Sequence, residues 1–461
     1  MTASPGFSRK LRETTRGFSR KLRETDIESP FLPLGHISPS GDLDDALSAA
    51  ALDLPGATAL LRRHRVVGLG LERLRSRPEN EALPPETAEA AEYRDRLDSC
   101  LDRTRTEVRA AVADVGIRAA DIKGGSVLQL YSVRSHRDVG DVDVMVDDAD
   151  AAWRLAEVLR SQGFRWCDFE LPWIKRDPDD GRVYGQVQVA NAKLDVAVRV
   201  DIHFGGYSLR HCRRIDLPLG RPGYSALDPM ENLPCLLGNS AGDFLIRLKD
   251  VNDMCLMLEA YPRPAWGTAL DLVRRHHLSA FWNRLLDVVR RTSRLSDQAS
   301  VLLESLVIPG LRPERTPLGV YDHRRRSWVT AADAFAWGRE RLGPGRGIAV
   351  AIGAYRYYRK RHELSVGPCR HRNDARLLDD LSNETCVRLV PVDLLRTLSP
   401  ADAGSVDNIR AQEAQPIPGT VSITRVDRNP HSYVIAAGEV FAPTLDYGMC
   451  VRQAAVSDAV D

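Results

Sequence analysis

The sequence predicts an α+β fold: a mixed-sheet core with helical N- and C-terminal flanks and a small β-rich C-terminal appendage. Three observations carry this expectation. Apolar residues recur at helical spacing on both sides of residues 117–204, whereas inside that window they alternate with polar ones in short runs. From about Cys386 the chain turns rich in Val, Ile, Thr, Pro and Gly and reads as several short strands. At roughly 100–200 residues per domain, 461 residues hold more than one core. The divisions expected are a basic flexible arm (1–30), a helical N-terminal region (31–116), the mixed core (117–260), a helical C-terminal region (261–380) and the β-rich appendage (381–461).

The arm contains GFSRKLRET twice, at 6–14 and 17–25, and its seven basic residues against Glu13 and Glu24 leave little to bury. From Asp42 to about Arg77 the spacing of Leu60, Leu61, Val66, Val67, Leu69, Leu71 and Leu74 is helical. After the break ENEALPPE, Glu86–Val115 is amphipathic, with Leu97, Leu101, Val108, Val112 and Val115 on one face and Gly116 as its stop. Strands are expected at Ala119–Ile122, Val139–Val146, Phe164–Phe169, Tyr184–Ala190 and Leu194–Phe204, interrupted by helices at Ser126–Ser132 and Asp150–Gln162. Helix returns at 241–260, 267–305, 331–342 and 346–362.

Composition excludes several classes. With 43% hydrophobic and 28% charged residues the chain is not globally disordered, and a net charge of +1 argues against attachment to nucleic acid by charge alone. Eight cysteines without a CxxC or a Cys/His set at zinc spacing fit a reduced protein without a structural metal. The absence of an apolar run of roughly 20 residues or a signal-peptide h-region gives the expectation of a cytoplasmic protein with no membrane partner. Only seven of the 64 basic residues are lysine, so each lysine in a motif draws attention.

The informative stretch is IKGGSVLQLYSVRSHRDVGDVDVMV, residues 122–146. A short strand runs into Gly124-Gly125-Ser126, where glycines let backbone N–H groups approach a phosphate. In the strand that follows, alternation places Asp141 and Asp143 on one face and Val142, Val144 and Val146 on the other. Adjacent carboxylates repel unless a cation lies between them, and two Mg²⁺ ions, with Mn²⁺ as the alternative, would meet that need. In Leu194–His203 the same alternation sets Asp195, Arg199, Asp201 and His203 on one face, making Asp201 the candidate third carboxylate. His203 would face substrate or metal, or donate a structural hydrogen bond.

These residues resemble the nucleotidyltransferase superfamily that shares its fold with DNA polymerase β. More closely, Ile122-Lys-Gly-Gly125, Arg137, GDVDVMV and Val200-Asp-Ile-His203 resemble the minimal uncharacterised nucleotidyltransferase family, over roughly residues 43–260. Arg247-Leu-Lys249-Asp250-Val-Asn-Asp253 is similar to the RxKDxxD helix of the more distant abortive-infection nucleotidyltransferase toxins. The resemblance implies that Asp141, Asp143 and Asp201 hold the catalytic metals. It implies that Lys123, Gly124, Gly125, Ser126, Arg137 and Lys249 contact the nucleotide phosphates, with Asp250 and Asp253 in support. Where the superfamily often has Gly-Ser this chain has Gly-Gly-Ser, so the serine role falls to either Gly125 or Ser126.

The function expected is NTP-dependent transfer of a nucleoside monophosphate to an acceptor, with release of pyrophosphate. A small molecule or peptide is the favoured acceptor, in a setting such as specialised metabolite biosynthesis. Toxin-like action on tRNA is one alternative, which the aromatic-basic run Tyr355–His362 and the N-terminal arm would serve; a nucleotide-sensing pseudoenzyme that binds a protein partner is another. Gly343–Gly347 reads as loop punctuation.

Overall fold

The computed structural model describes residues 36–37, 54–75, 85–167, 171–207, 214–243, 245–276, 278–311, 387–393, 414–428 and 431–444, with isolated positions between 313 and 381. The arm, the segments 331–342 and 346–362, Gly343–Gly347 and Tyr355–His362 lie outside these residues or are described only at single positions.

Among the described residues three helices come first: α1 (Leu54–His64), α2 (Val67–Arg75) and α3 (Pro85–Val115). The first backbone N–H groups of α2 donate to the buried Asp138 carboxylate, Val67 N at 3.0 Å and Gly68 N at 3.3 Å. Arg94 of α3 donates to the Val139 carbonyl at 3.0 Å. The two helices thus fix the stretch leading into the Asp141 strand from both sides. Gly116, at φ 71°, ends α3 in the left-handed region and turns the chain into the sheet.

The five strands expected in 117–204 form as β1 (Arg118–Asp121), β2 (Asp141–Val146), β3 (Arg165–Trp166), β5 (Val183–Asn191) and β6 (Val198–Phe204). Two short strands were not anticipated, β4 (Trp173–Arg176) and β7 (Gly223–Ala226), because four residues give too little alternation to read. The sheet is mixed: β2 runs parallel to β6 and β1 to β7, while β1–β2, β6–β5, β5–β4 and β5–β3 are antiparallel. Valines of β2, β5 and β6 form one apolar face, packed under α3 and α5 (Ala149–Ser161). The start of α5 is capped by Asp148, whose carboxylate accepts from Ala151 N at 2.8 Å.

The expected helix over 241–260 divides into α6 (Pro229–Asp243) and α7 (Leu248–Ala260). Arg247 is extended between them, and the Asp250 carboxylate accepts its N–H at 2.7 Å, which restarts the helix. The stretch 267–305 becomes α8 (Trp266–Arg275), α9 (Ser279–Thr292) and α10 (Asp297–Leu306), the last capped by Ser296. These helices, with α1 and α2, enclose a second core around Trp266 and Trp282. No helix among the described residues is long and apolar enough to cross a membrane.

The tail forms β8 (Val387–Pro391), β9 (Gln415–Pro416), β10 (Thr424–Arg428), β11 (His431–Ala436) and β12 (Glu439–Thr444), and it continues the central sheet. Strand β8 pairs with β4, giving the order β7-β1-β2-β6-β5-β4-β8-β12-β11-β10-β9. The tail also grips α5. Phe441 meets Trp153 edge-on at 5.3 Å, and Glu439 accepts hydrogen bonds from Arg160 and from Trp166 Nε1. A buried aromatic pair of this kind contributes about 0.5–1.5 kcal/mol beyond its area.

One contact joins the helical layers through a titratable group. The fully enclosed His64 at the end of α1 accepts the Leu248 N–H through Nδ1 at 3.0 Å, at the first turn of α7. Burial, then Arg247, lower its pKa from 6.5 to about 3, against the opposing pull of Asp250. The unfolded chain therefore binds a proton below pH 6.5 that the folded chain refuses, so acidification weakens the fold. Between pH 7 and pH 5 this group removes about 2 kcal/mol of unfolding free energy. Urea unfolding across that range should show the loss, and His64→Gln, which keeps an acceptor without a titrating ring, should flatten it.

Candidate active site

The parallel pairing of β2 with β6 sets Asp141 opposite Arg199 and Asp143 opposite Asp201, with His203 opposite Met145. Residues opposite each other in a sheet share a face, so all five polar side chains project away from the valines. Oxygen and nitrogen atoms of Asp143, Asp201 and His203 converge within 4.8 Å of one another, and all three residues are buried. Two carboxylates this close repel by about 3 kcal/mol at an effective dielectric constant of about 20.

Two cations offset that repulsion. Lys123 Nζ lies 2.7 Å from Asp143 Oδ1, and Arg199 bridges the carboxylates, pairing with Asp141 through Nη2 and with Asp201 through Nε at 2.9 Å. Burial alone would lower the Lys123 pKa; Asp143, with Tyr207, Asp201 and Asp141, overrides it and holds the ammonium charged well above the usual lysine range. Burial likewise opposes ionisation of Asp143, yet Lys123 and His203 hold that carboxyl below the ordinary range. Burial and Lys123 together depress the His203 pKa against the pull of Asp143, so the imidazole is neutral near pH 7. Its Nε2 stands 3.3 Å from Asp143 Oδ1.

Lys123 reaches the cluster because its backbone is unusual. It sits at φ 49°, ψ −121°, a region that costs a non-glycine residue on the order of 1–3 kcal/mol. Asn232 of α6, fully buried, offsets this by binding both sides of the residue: its Oδ1 accepts from Lys123 N at 2.7 Å and its Nδ2 donates to Lys123 O at 2.9 Å. Sequence reasoning missed Asn232, since a lone Asn on a helix carries no signal of a partner more than one hundred residues away.

The other candidate residues form a second group behind the glycine turn. Arg137 binds Asp253 of α7 through Nε (2.8 Å) and Nη2 (2.9 Å), and Tyr131 donates to the same carboxylate at 2.7 Å. Both partners are buried, and Asp253 with Tyr131 more than offsets burial to raise the Arg137 pKa. A Cβ on Gly124 would stand 2.3 Å from Arg137 Nη1, and one on Gly125 would press on Asp121 at 3.0 Å, so the two glycines admit close packing beneath the turn. The short helix α4 (Gly124–Val127) starts here, and the buried Ser126 hydroxyl donates to the Leu227 carbonyl at 2.7 Å. Lys249 is buried against Asp250; its pKa is lowered by burial, with Arg137 adding to the effect, while Lys249 and Arg247 outweigh burial to hold Asp250 below its usual range.

The structure therefore brings Lys123, Asp141, Asp143, Asp201 and His203 together with Arg199. It places Arg137, Lys249, Asp250 and Asp253 in an adjoining network that fixes α7 to the turn. A divalent ion fits the first group: two buried carboxylates and a neutral imidazole on one sheet face form a hard oxygen–nitrogen donor set.

Comparison with known proteins agrees with this arrangement. Residues 51–293 match the family model described as "Uncharacterised nucleotidyltransferase". The chain belongs to this family. The match runs from α1 to α9 and takes in every candidate site residue, and it establishes the enzyme class as nucleotidyltransferase. No curated protein and no solved structure matches the chain significantly.

The Arg137–Asp253 pair gives a direct test of what supports the turn. Asp253→Ala, which strands a buried guanidinium, should lower unfolding free energy by about 3–5 kcal/mol in urea titration. Combining it with Arg137→Met should restore part of that loss, because no charge is then left unpaired.

Proposed function

We propose that this nucleotidyltransferase moves a nucleoside monophosphate from an NTP to a small-molecule or peptide acceptor, releases pyrophosphate, and depends on Mg²⁺ or Mn²⁺ held at the sheet face. The observation that carries the reading is the juxtaposition of Asp143 and Asp201 across β2 and β6, with Asp141 on the same face. Asp143, Asp201 and His203 would hold the metal, with Asp141 available once Arg199 moves aside. A divalent ion here supplies charge neutralisation for the triphosphate and for the attacking and leaving oxygens.

The protein's own residues supply the rest. Lys123 and Arg199 stand at the accessible rim of the site, their side chains 17% and 22% exposed against 7% for Asp143. Each has a carboxylate partner that a metal can take over, which frees the cation for a phosphate oxygen. Asp201 would take the proton of the acceptor hydroxyl. The glycine turn, with Gly124 and Gly125 at the start of α4, lies beside Lys123 and would border the phosphates, while its Gly125 N–H is given to the Ile122 carbonyl at 3.2 Å. Such a site acts by positioning and electrostatics, with no covalent intermediate.

Arg137 and Lys249 support the reading indirectly, since both are engaged by Asp253 and Asp250 and hold the turn and α7 together. Tyr355–His362 and the arm lie outside the described residues, so tRNA as acceptor draws no support from the structure. Two buried carboxylates and an imidazole brought together, with the family match over the whole site, favour an enzyme over a nucleotide-sensing pseudoenzyme.

Asp143→Asn and Asp201→Asn should each lower pyrophosphate release from labelled NTP roughly 10²–10³-fold while unfolding stays cooperative. Activity that survives both substitutions would refute the assignment. An imidazole among the donors favours Mn²⁺ over Mg²⁺. In metal titrations Mn²⁺ should therefore half-saturate the wild type at the lower concentration, and His203→Asn should narrow the difference.

A further inference from the structure

The carboxylate face does not stop at β6. Antiparallel pairing continues it onto β5 and β4, placing Gln188 opposite Asp201, Gln186 opposite His203, and Trp173 opposite Gln186. Gln186 accepts the Trp173 indole N–H at 3.1 Å. Gln188 is different. It is 1% exposed, yet its Oε1 finds no hydrogen-bond donor among the described residues. An enclosed amide oxygen without a donor is costly, by about 1–3 kcal/mol, and such groups in native proteins mark strain, an ordered water or a ligand.

In-line displacement decides which ligand. Attacking and leaving oxygens lie on opposite sides of the α-phosphorus. With the triphosphate on Lys123 and the glycine turn, at the β1 side of the cluster, the acceptor must approach from the other side, over Asp201 and β5. There it meets Gln188 first and the half-buried indole of Trp173 beyond it.

Resting on the transferase reading above, we infer that the β5–β4 face is the acceptor subsite and that it takes a sugar-like small molecule bearing a vicinal diol. One hydroxyl of the diol is the nucleophile at Asp201, and its neighbour donates to Gln188 Oε1. The indole of Trp173 carries the ring of the acceptor. In the transfer step the nucleophilic hydroxyl gives its proton to the Asp201 carboxylate and its oxygen forms the new bond to the α-phosphorus. The bond from that phosphorus to the bridging oxygen breaks, and pyrophosphate leaves with the electron pair. Gln188 changes no bond: its oxygen accepts one hydrogen bond and fixes which hydroxyl faces the phosphorus.

The test uses the full chain with α-labelled NTP, both metals, and matched acceptor probes. These are methyl β-D-ribofuranoside and its 2-deoxy analogue, an RNA oligonucleotide ending in ribose and the same oligonucleotide ending in 2′-deoxyribose, and a Ser/Thr/Tyr peptide mixture. The wild type should label methyl β-D-ribofuranoside in preference to the RNA end, and removal of the neighbouring hydroxyl should lower kcat/KM roughly 10–100-fold with the KM for NTP unchanged. Gln188→Met should abolish that discrimination, so that diol and deoxy acceptors react alike. Gln188→Ala, which removes the acceptor oxygen without filling its place, should lose the discrimination as well and covers the case in which Gln188→Met fails to fold.

Equal rates with diol and deoxy acceptors in the wild type would overturn the inference, as would unchanged discrimination in a folded Gln188→Met. Labelling of the peptides alone would overturn it while leaving nucleotidyl transfer standing, and preference for the ribose-ended RNA would reject the small-molecule source. Absence of both NTP binding and pyrophosphate release with every probe would instead bring down the transferase reading itself.

Discussion

Everything at the site depends on one electrostatic conflict, the placement of Asp143 beside Asp201 on paired parallel strands in a region closed to solvent. Left alone, this pairing would favour protonation of one carboxylate or separation of the strands. The sheet register forbids separation, because sliding β6 by one residue would turn its valines out of the core and its charged residues into it. The conflict is met by positive charge, and each cation has its own structural requirement. Lys123 needs a left-handed backbone, that backbone needs Asn232, and Asn232 needs α6 packed beside the turn. Arg199 comes from β6 itself, two residues before Asp201, and lies between the carboxylates it neutralises.

A second layer of charge serves the first. The turn after β1 stays in place because Arg137 fills the space that a side chain on Gly124 would need, and Asp253 fixes Arg137 in turn. Asp253 and Asp250 both belong to α7, whose first turn is also bound by His64 from α1. Breaking a buried ion pair is far more costly than the pair's net contribution, so the network specifies the position of α7 more than it adds stability. The same logic makes the arrangement sensitive to acid, since His64 must stay neutral for its ring nitrogen to accept.

Much of the site was legible in the sequence because period-two alternation is local. The runs Asp141–Val146 and Leu194–Phe204 announce both strands, and the one face that carries Asp, Arg and His, without reference to the rest of the chain. Their pairing was not legible. That Asp143 meets Asp201, leaving Asp141 to Arg199, follows from register, and register is set by the whole sheet. Asn232 escaped notice because its meaning comes from Lys123, more than one hundred residues away, and Gln188 because its place opposite Asp201 is set by the register of β5 on β6. Arg137 was visible as a residue at the right distance from Asp141, but its burial against α7 could not be read from spacing. Helix breaks after Asp243 and at Leu278 were hidden by apolar periodicity that carries through both.

The sheet order separates two tasks along one surface. The strands that hold the carboxylates, β2 and β6, lie near one end with β1 and β7, inside the region matched by the family model. The strands β8 to β12 lie beyond that region and attach at the opposite side, on β4. Strand β4 carries Trp173, whose partner on β8 is Arg388, so the tail borders the face proposed for the acceptor and has no contact in the sheet with the strands that bear the carboxylates. Chemistry common to a family and a choice of acceptor particular to one chain place different demands on sequence, the first invariant in geometry and the second free to vary. A sheet extended at one edge meets both, because residues added beyond β4 border the side proposed for the acceptor and leave the pairing of β2 with β6 as it is.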